Sequence, residues 1–213
     1  MTFVTDILLG LWAFYFSLAL FKRGFREKQS SIQFWAATLG MLALTSWAGG
    51  AYHGFQGTMG ETASRALWQA TLYLSGTLSL FMLLSLGFSG FQGSWRKGLI
   101  FIATVKWLTF SGWVTSHDDF RYVVYDYGST MVFLLAVHSV SLYRFKGKAS
   151  HWMVPGILVS FLAAAIQQGG WDPAPNFNHN DLYHVIQMAA VYLLYKGGTY
   201  LKDLAGGSTK MDR

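Results

Sequence analysis

The residues of this chain best suited to chemistry gather in one short stretch, "NFNHNDLYHVIQM", running from Asn176 to Met188. It places Asn178, His179, Asn180, Asp181, His184 and Gln187 just before the apolar run "AAVYLLYKGG". Imidazole and carboxylate are the side chains that bind divalent metals and move protons near neutral pH. A helix opening between Asn178 and Asn180 uses asparagine as its N-cap and Asp181 against its dipole. His179 and His184 are then five positions apart, about 140° around the helix, and share no face. Asp181 and His184 are three apart and do share one. Asn180, His184 and Gln187 lie at i, i+4 and i+7, a polar stripe that capping does not explain.

Other segments offer partners. In "SWAGGAYHGF", Ser46, Gly49, Gly50 and His53 fall on one helix face. Small residues in such a stripe serve close helix packing, but His53 at its end needs a partner or a metal. Glu61 and Arg65 are spaced for an i, i+4 ion pair. Asp126 precedes Ser129 and Thr130 by one turn, with Arg121 or a backbone donor as its expected partner. Gln167 and Gln168 end the run "AIQQGG", and Lys106 interrupts an apolar segment, where an ammonium requires a carboxylate or carbonyls. His138 and His151 lie far from the outer group and read as structural. The remaining candidates can face one cavity. Mixed imidazole and carboxylate ligands suit Zn²⁺ with an open water position, whose pKa the metal lowers to about 7. A hydrogen-bonded network filled with water uses the same residues.

The elements that must position these groups are helices in a membrane. Of 213 residues, 53% are hydrophobic and 12% charged, against roughly 25% charged in soluble domains. Seven apolar segments approach the ~20 residues that cross a bilayer as helix: 3–21, 32–52, 66–89, 99–114, 122–143, 153–167 and 182–200. The expected fold is an all-α, seven-transmembrane-helix bundle forming a single domain over 1–213. Asp6 near the start, and a basic cluster after the first segment, argue against a cleaved signal peptide. The chain has no cysteine, which removes disulfides, thiolate metal sites and cysteine nucleophiles.

Charge sets the expected orientation. Lys22, Arg23, Arg26 and Lys28 follow the first segment, Arg96 and Lys97 the third, and Arg144, Lys146 and Lys148 the fifth. Lys196, Lys202, Lys210 and Arg213 close the chain, while the alternate side keeps only Arg65 and Arg121. Positive residues stay inside, so the N-terminus is expected outside and the C-terminus in the cytoplasm. The net charge of +6 lies in these short clusters, which excludes a nucleic-acid surface and leaves membrane lipids as the expected partners.

The span plan with His53 and His184 resembles the superfamily of alkaline ceramidases and progestin/adiponectin receptors. That resemblance implies a zinc site on the N-terminal side of the bilayer. His53 matches the family's span-two histidine and His184 the second histidine of an H-x-x-x-H pair opening span seven. Glu61 stands where the family has an aspartate, and Ser46 corresponds to its serine. Two departures are plain. Ser46 precedes His53 by seven residues where the family has four, and Asn180 stands where the pair's first histidine belongs. Either His179 or Asp181 supplies the missing ligand or zinc is absent. More closely, "FNHNDLYHVIQM" with "GGAYHGF" is similar to an uncharacterised family of bacterial seven-span proteins, which implies a bacterial cytoplasmic membrane and brings no activity.

Two functions are expected. One is a metal-dependent hydrolase of a lipid amide or ester. In it His53, His184 and either Asp181 or His179 hold the metal, Glu61 or Asp126 moves protons, and Ser46 serves the oxyanion. The other is a non-enzymatic receptor or binding protein. There Asn180, Gln187 and Gln168 meet a lipid or a small polar ligand.

Overall fold

The computed structural model describes residues 1–204, which form seven α-helices. They are α1 (Thr2–Glu27), α2 (Ser30–Phe55), α3 (Glu61–Gly90), α4 (Gly93–Val114), α5 (Arg121–Phe145), α6 (Lys148–Gly169) and α7 (His179–Gly198). Each expected apolar segment lies within one helix except the last, which runs two residues beyond α7. The helices outrun the apolar stretches: α3 begins at Glu61 and α6 at Lys148, so Pro155 falls inside α6. Lys210 and Arg213 lie outside the described residues.

Four helices, α1, α3, α5 and α6, are both long and apolar enough to cross a membrane. The other three reach 26, 22 and 20 residues but are less apolar. In α2 the cause is Ser, Thr, Gly and Trp; in α4 it is Arg96, Lys97 and Lys106; in α7 it is the polar opening turn. The outer surface is apolar to match. Leu8, Leu11, Tyr15 and Leu18 project from α1, Phe101, Ile102 and Leu108 from α4, and Leu158 and Leu162 from α6. A continuous surface of this kind is what hydrocarbon solvates and water does not.

Six helices close a ring in the order α1, α2, α3, α5, α6, α7, with α7 returning to α1. α4 stands outside it, packed mainly on α3 and touching α5, while α2 also reaches α7. Hydrogen bonds cross between helices within the packed apolar interior. Ser17 donates to the Ala36 carbonyl at 2.7 Å, Ser85 to that of Ser31 at 2.8 Å, and the Trp35 indole to that of Leu194 at 3.0 Å. Such bonds tie helices where apolar contact alone is matched by lipid. At Gly156 the chains come close: a Cβ there would fall 3.2 Å from the Leu194 backbone nitrogen.

One end of the bundle is strapped by the segment after α7. Both carboxylate oxygens of Asp203 accept from the first amides of α2, Ser30 and Ser31, at 2.8 Å each. Gln29 accepts from the Asp203 amide at 2.6 Å, and Arg96 donates to the Leu204 carbonyl at 2.6 Å. An acid supplied from afar thus caps α2, whose own Gln29 makes no side-chain cap. The opposite end of the bundle carries the candidate site.

Candidate functional site

Asn178 caps α7 as its sequence suggests. Its side-chain oxygen accepts from the amides of Asn180 at 2.9 Å and Asp181 at 3.1 Å, while Asp181 Oδ2 accepts from the Asn178 amide at 2.9 Å. This reciprocal box fixes where Asp181 points. His179 turns away, toward the preceding loop. Its amide and its Nδ1 both lie on Asp172 Oδ1, at 2.8 and 2.7 Å. Those hydrogen bonds hold the exposed Asp172 carboxyl below the usual carboxylate range.

One turn on, His184 enters a buried chain of four side chains. Its Nδ1 lies 2.9 Å from Thr5 Oγ1 and its Nε2 3.1 Å from Asp6 Oδ1. Thr5 Oγ1 is also 3.1 Å from Asp181 Oδ1. The exposures are 4% for Asp6, 1% for Asp181, 7% for His184 and 5% for Thr5. A hydroxyl has one proton, and an imidazole nitrogen either gives or takes. Thr5 Oγ1 also lies 3.0 Å from the Thr2 carbonyl, so its one proton has several acceptors within reach. Asp6 Oδ2 is buried and has no partner.

The small residues of α2 explain how Asp6 fits. A Cβ on Gly50 would come 2.7 Å from the Asp6 Cβ, so glycine is what lets α1 and α2 meet there. Ser46 is buried on the same stripe. His53 is exposed at the end of α2, edge-on to Tyr52 at 5.8 Å between ring centres. No hydrogen bond joins His53 to His184 among the described residues.

The other candidates do not gather here. Glu61 and Arg65 are exposed and line a shallow outer depression without forming the expected ion pair. Asp126 faces α4, where it forms an ion pair with Lys106, which also donates to its backbone carbonyl at 2.9 Å. The partner that Lys106 requires is therefore a carboxylate and a carbonyl together. Arg121, expected beside Asp126, binds Asp119 instead, its Nε 2.7 Å from Asp119 Oδ2. That hydrogen bond holds the Asp119 carboxyl below its usual range.

Metal ligation does not fit this arrangement. His179 is committed to Asp172, both nitrogens of His184 are occupied by Thr5 and Asp6, and His53 shares no hydrogen bond with His184 among the described residues. Among the described residues no group of three or more His, Asp or Glu side chains is placed to hold a metal ion.

Beside the buried chain, α2, α3, α5, α6 and α7 enclose a cavity of about 170 Å³. Leu42, Leu78, Val123, Met131 and Phe161 make its apolar walls. Its polar lining is Thr45, Ser75, Ser160, Gln167, Gln168 and Gln187, with the rings of Tyr127 and Tyr183. No carboxylate, ammonium or imidazole lines it. Asn180 accepts from Gln167 at 3.0 Å near its mouth, where Gln168 is exposed.

Asp6 and Thr5 are the site residues that sequence reasoning missed. The available signal was an acid in the apolar α1, which needs a partner. That partner, His184, lies 179 residues from Thr5 along the chain.

These features define a class: an all-helical protein with several helices apolar enough for a membrane, a buried acid–histidine chain and an uncharged cavity at one end. Within it, the chain belongs to the family described as "Family of unknown function (DUF6962)", which it matches over residues 1–203. No curated protein and no solved structure matches it. None of these comparisons connects the chain to the alkaline ceramidases or the progestin/adiponectin receptors.

Proposed function

We propose that this protein is a multi-pass binding protein of a bacterial cytoplasmic membrane. All seven helices span, the N-terminus is outside and the C-terminus is cytoplasmic. It receives a lipid or another small molecule in the cavity among α2, α3, α5, α6 and α7. One observation carries the binding reading: the cavity is apolar-walled with a few convergent polar groups, the usual make-up of a ligand pocket. The groups able to move protons, Asp6, Asp181 and His184, are absent from its lining, which favours binding over catalysis in that space.

Gly128 supplies the test. It lines the cavity, and a Cβ built on it meets nothing within 4 Å. Gly128→Leu places a side chain where a Cβ meets open space and removes a helix glycine. Saturable binding of 4-fluorophenol, read by ¹⁹F NMR in detergent, is expected in the wild type and lost in Gly128→Leu at unchanged thermal stability. Equal signals from both proteins would reject the cavity as a binding site.

The hydrolase remains a second reading because Thr5, His184 and Asp6 are connected as hydroxyl, imidazole and carboxylate. In serine hydrolases the hydroxyl meets Nε2 and the acid Nδ1; here the ring is reversed. Thr5 is also buried, so attack requires α1 and α7 to part. Fatty-acid release from amide and ester lipids, with and without added zinc, tests it. Activity that survives both Thr5→Val and His184→Ala would dismiss these residues as its source.

A further inference from the structure

The cavity's polar atoms specify the chemical class of its occupant, a refinement that rests on the cavity being a binding site. Ser160 is the starting point. Its hydroxyl donates to the Gly156 carbonyl one helical turn earlier, at 3.1 Å. Its single proton is thereby spent, so its oxygen can only accept from Gln187, whose side-chain nitrogen lies 3.2 Å away. In this arrangement the amino end of the Gln187 amide faces Ser160. The carbonyl end is turned away and makes no hydrogen bond among the described residues. Gln187 is 3% exposed and lines the cavity, as does Thr45, whose buried hydroxyl has no partner. An acceptor in an apolar-walled cavity that meets no donor is poorly satisfied, and an occupant carrying a donor supplies the missing hydrogen bond.

Charge and size narrow the class. With no ionised side chain in the lining, a charged ligand would lose its hydration and find no counter-charge. The volume of about 170 Å³ exceeds that of a dry engineered cavity of about 150 Å³ that takes benzene. Tyr127, Phe161 and Tyr183 offer ring faces and edges to a planar guest.

We infer that the cavity selects an uncharged, ring-sized group bearing a hydroxyl or N–H donor, and that the side-chain carbonyl of Gln187 receives that donor. The class includes phenols, cyclic alcohols and the hydroxylated head of a neutral lipid. It excludes carboxylates, ammonium groups and plain hydrocarbons of the same size. Gln187 acts here as a specificity residue, held in place by Ser160.

Three para-substituted fluorobenzenes, the first two of equal size, test this by ¹⁹F NMR on the full-length protein in detergent, with Gly128→Leu protein as the blank: 4-fluorophenol, 4-fluorotoluene and 4-fluorobenzoate. The expected result is saturable binding of the phenol, at least tenfold weaker binding of the toluene, and none of the benzoate. The double variant Ser160→Ala/Gln187→Leu, which removes both members of the Ser160–Gln187 bond, should reverse the order of phenol and toluene. Gln187→Met serves the same purpose if the double variant does not fold. Toluene binding as tightly as phenol in the wild type overturns the donor requirement while the cavity remains a binding site. Benzoate binding overturns the exclusion of charge. A phenol preference that survives both variants overturns the assignment to Gln187. If neither phenol nor toluene is distinguishable from the blank, the binding reading itself falls.

Discussion

His184 Nε2 meets Asp6 Oδ1 at 3.1 Å, joining the last helix to the first beneath the outer end of the bundle. On the other side of the ring Thr5 continues the chain to Asp181. The imidazole therefore separates two buried carboxylates. Removing it in His184→Ala leaves both acids without their bridge, and a buried charge stripped of its partner costs about 3–5 kcal/mol. Asp6→Asn keeps the shape and replaces the carboxyl by an amide, so it should cost less, about 1–3 kcal/mol for the altered hydrogen bond. Thermal unfolding in detergent checks the order. A His184→Ala protein as stable as the wild type would show that the chain does not support the fold.

Lys106 and Asp126 form a second polar link, between α4 and α5. The Asp126 side chain is 7% exposed and that of Lys106 28%. Lys106→Met or Asp126→Asn alone breaks the pair in apolar surroundings and should destabilise by up to about 3–5 kcal/mol. Lys106→Met with Asp126→Leu replaces both charges by apolar groups and should return to within about 1–2 kcal/mol of the wild type. Additive losses in this cycle, measured by unfolding, would mean that the two side chains do not interact.

Asp203 makes the strap after α7 sensitive to acid. Burial alone pushes its carboxyl up, but hydrogen bonds from Ser31 and Ser30 outweigh it and hold the group below its ordinary value of 3.8. A carboxyl depressed in the fold contributes stability that is complete above its unfolded pKa and is lost as pH falls through the folded one. The contribution should therefore be constant at neutral pH and fade only below about 4. Asp203→Asn should cost roughly 1 kcal/mol at pH 7, as loss of a cap does. The gap between variant and wild type should narrow below about pH 4. A gap that widens in acid would contradict the assignment.

Much of this architecture is legible locally and little of the site is. The seven helices follow from runs of apolar residues whose length and period need no knowledge of neighbours. The capping box at Asn178 and Asp181 is legible for the same reason, being confined to four residues. Lys106 declares that it needs a partner, but nothing in the one-dimensional pattern assigns that role to Asp126. Arg121 looks closer to Asp126 in sequence, yet Asp119 reaches it within the turn before α5. The stripe of Ser46, Gly49 and Gly50 reveals a shared face, whereas the occupant of that face, Asp6, comes from another helix. His53 and His184 invite a common metal by type alone. In the fold both ring nitrogens of His184 are taken by Thr5 and Asp6 of α1, while His53 sits at the exposed end of α2.

The orientation of the bundle can be measured by thiol labelling, and the absence of native cysteine makes the measurement clean. Four helices are long and apolar enough to span, while α2, α4 and α7 have the length and pack against them. If all seven cross, the turns at Glu61, Asp118 and Asp172 lie on one side. Lys28, Lys97 and Lys146 then lie on the other, with the excess of positive charge that marks the cytoplasmic face. Single cysteines replacing Glu61, Asp118 or Asp172 should react in intact cells with a thiol reagent that does not cross membranes. Cysteines replacing Lys97 or Lys146 should react only after permeabilisation. Labelling of position 97 together with 61 in intact cells would mean that α3 does not cross, and the seven-span reading would have to give way to a smaller number of spans.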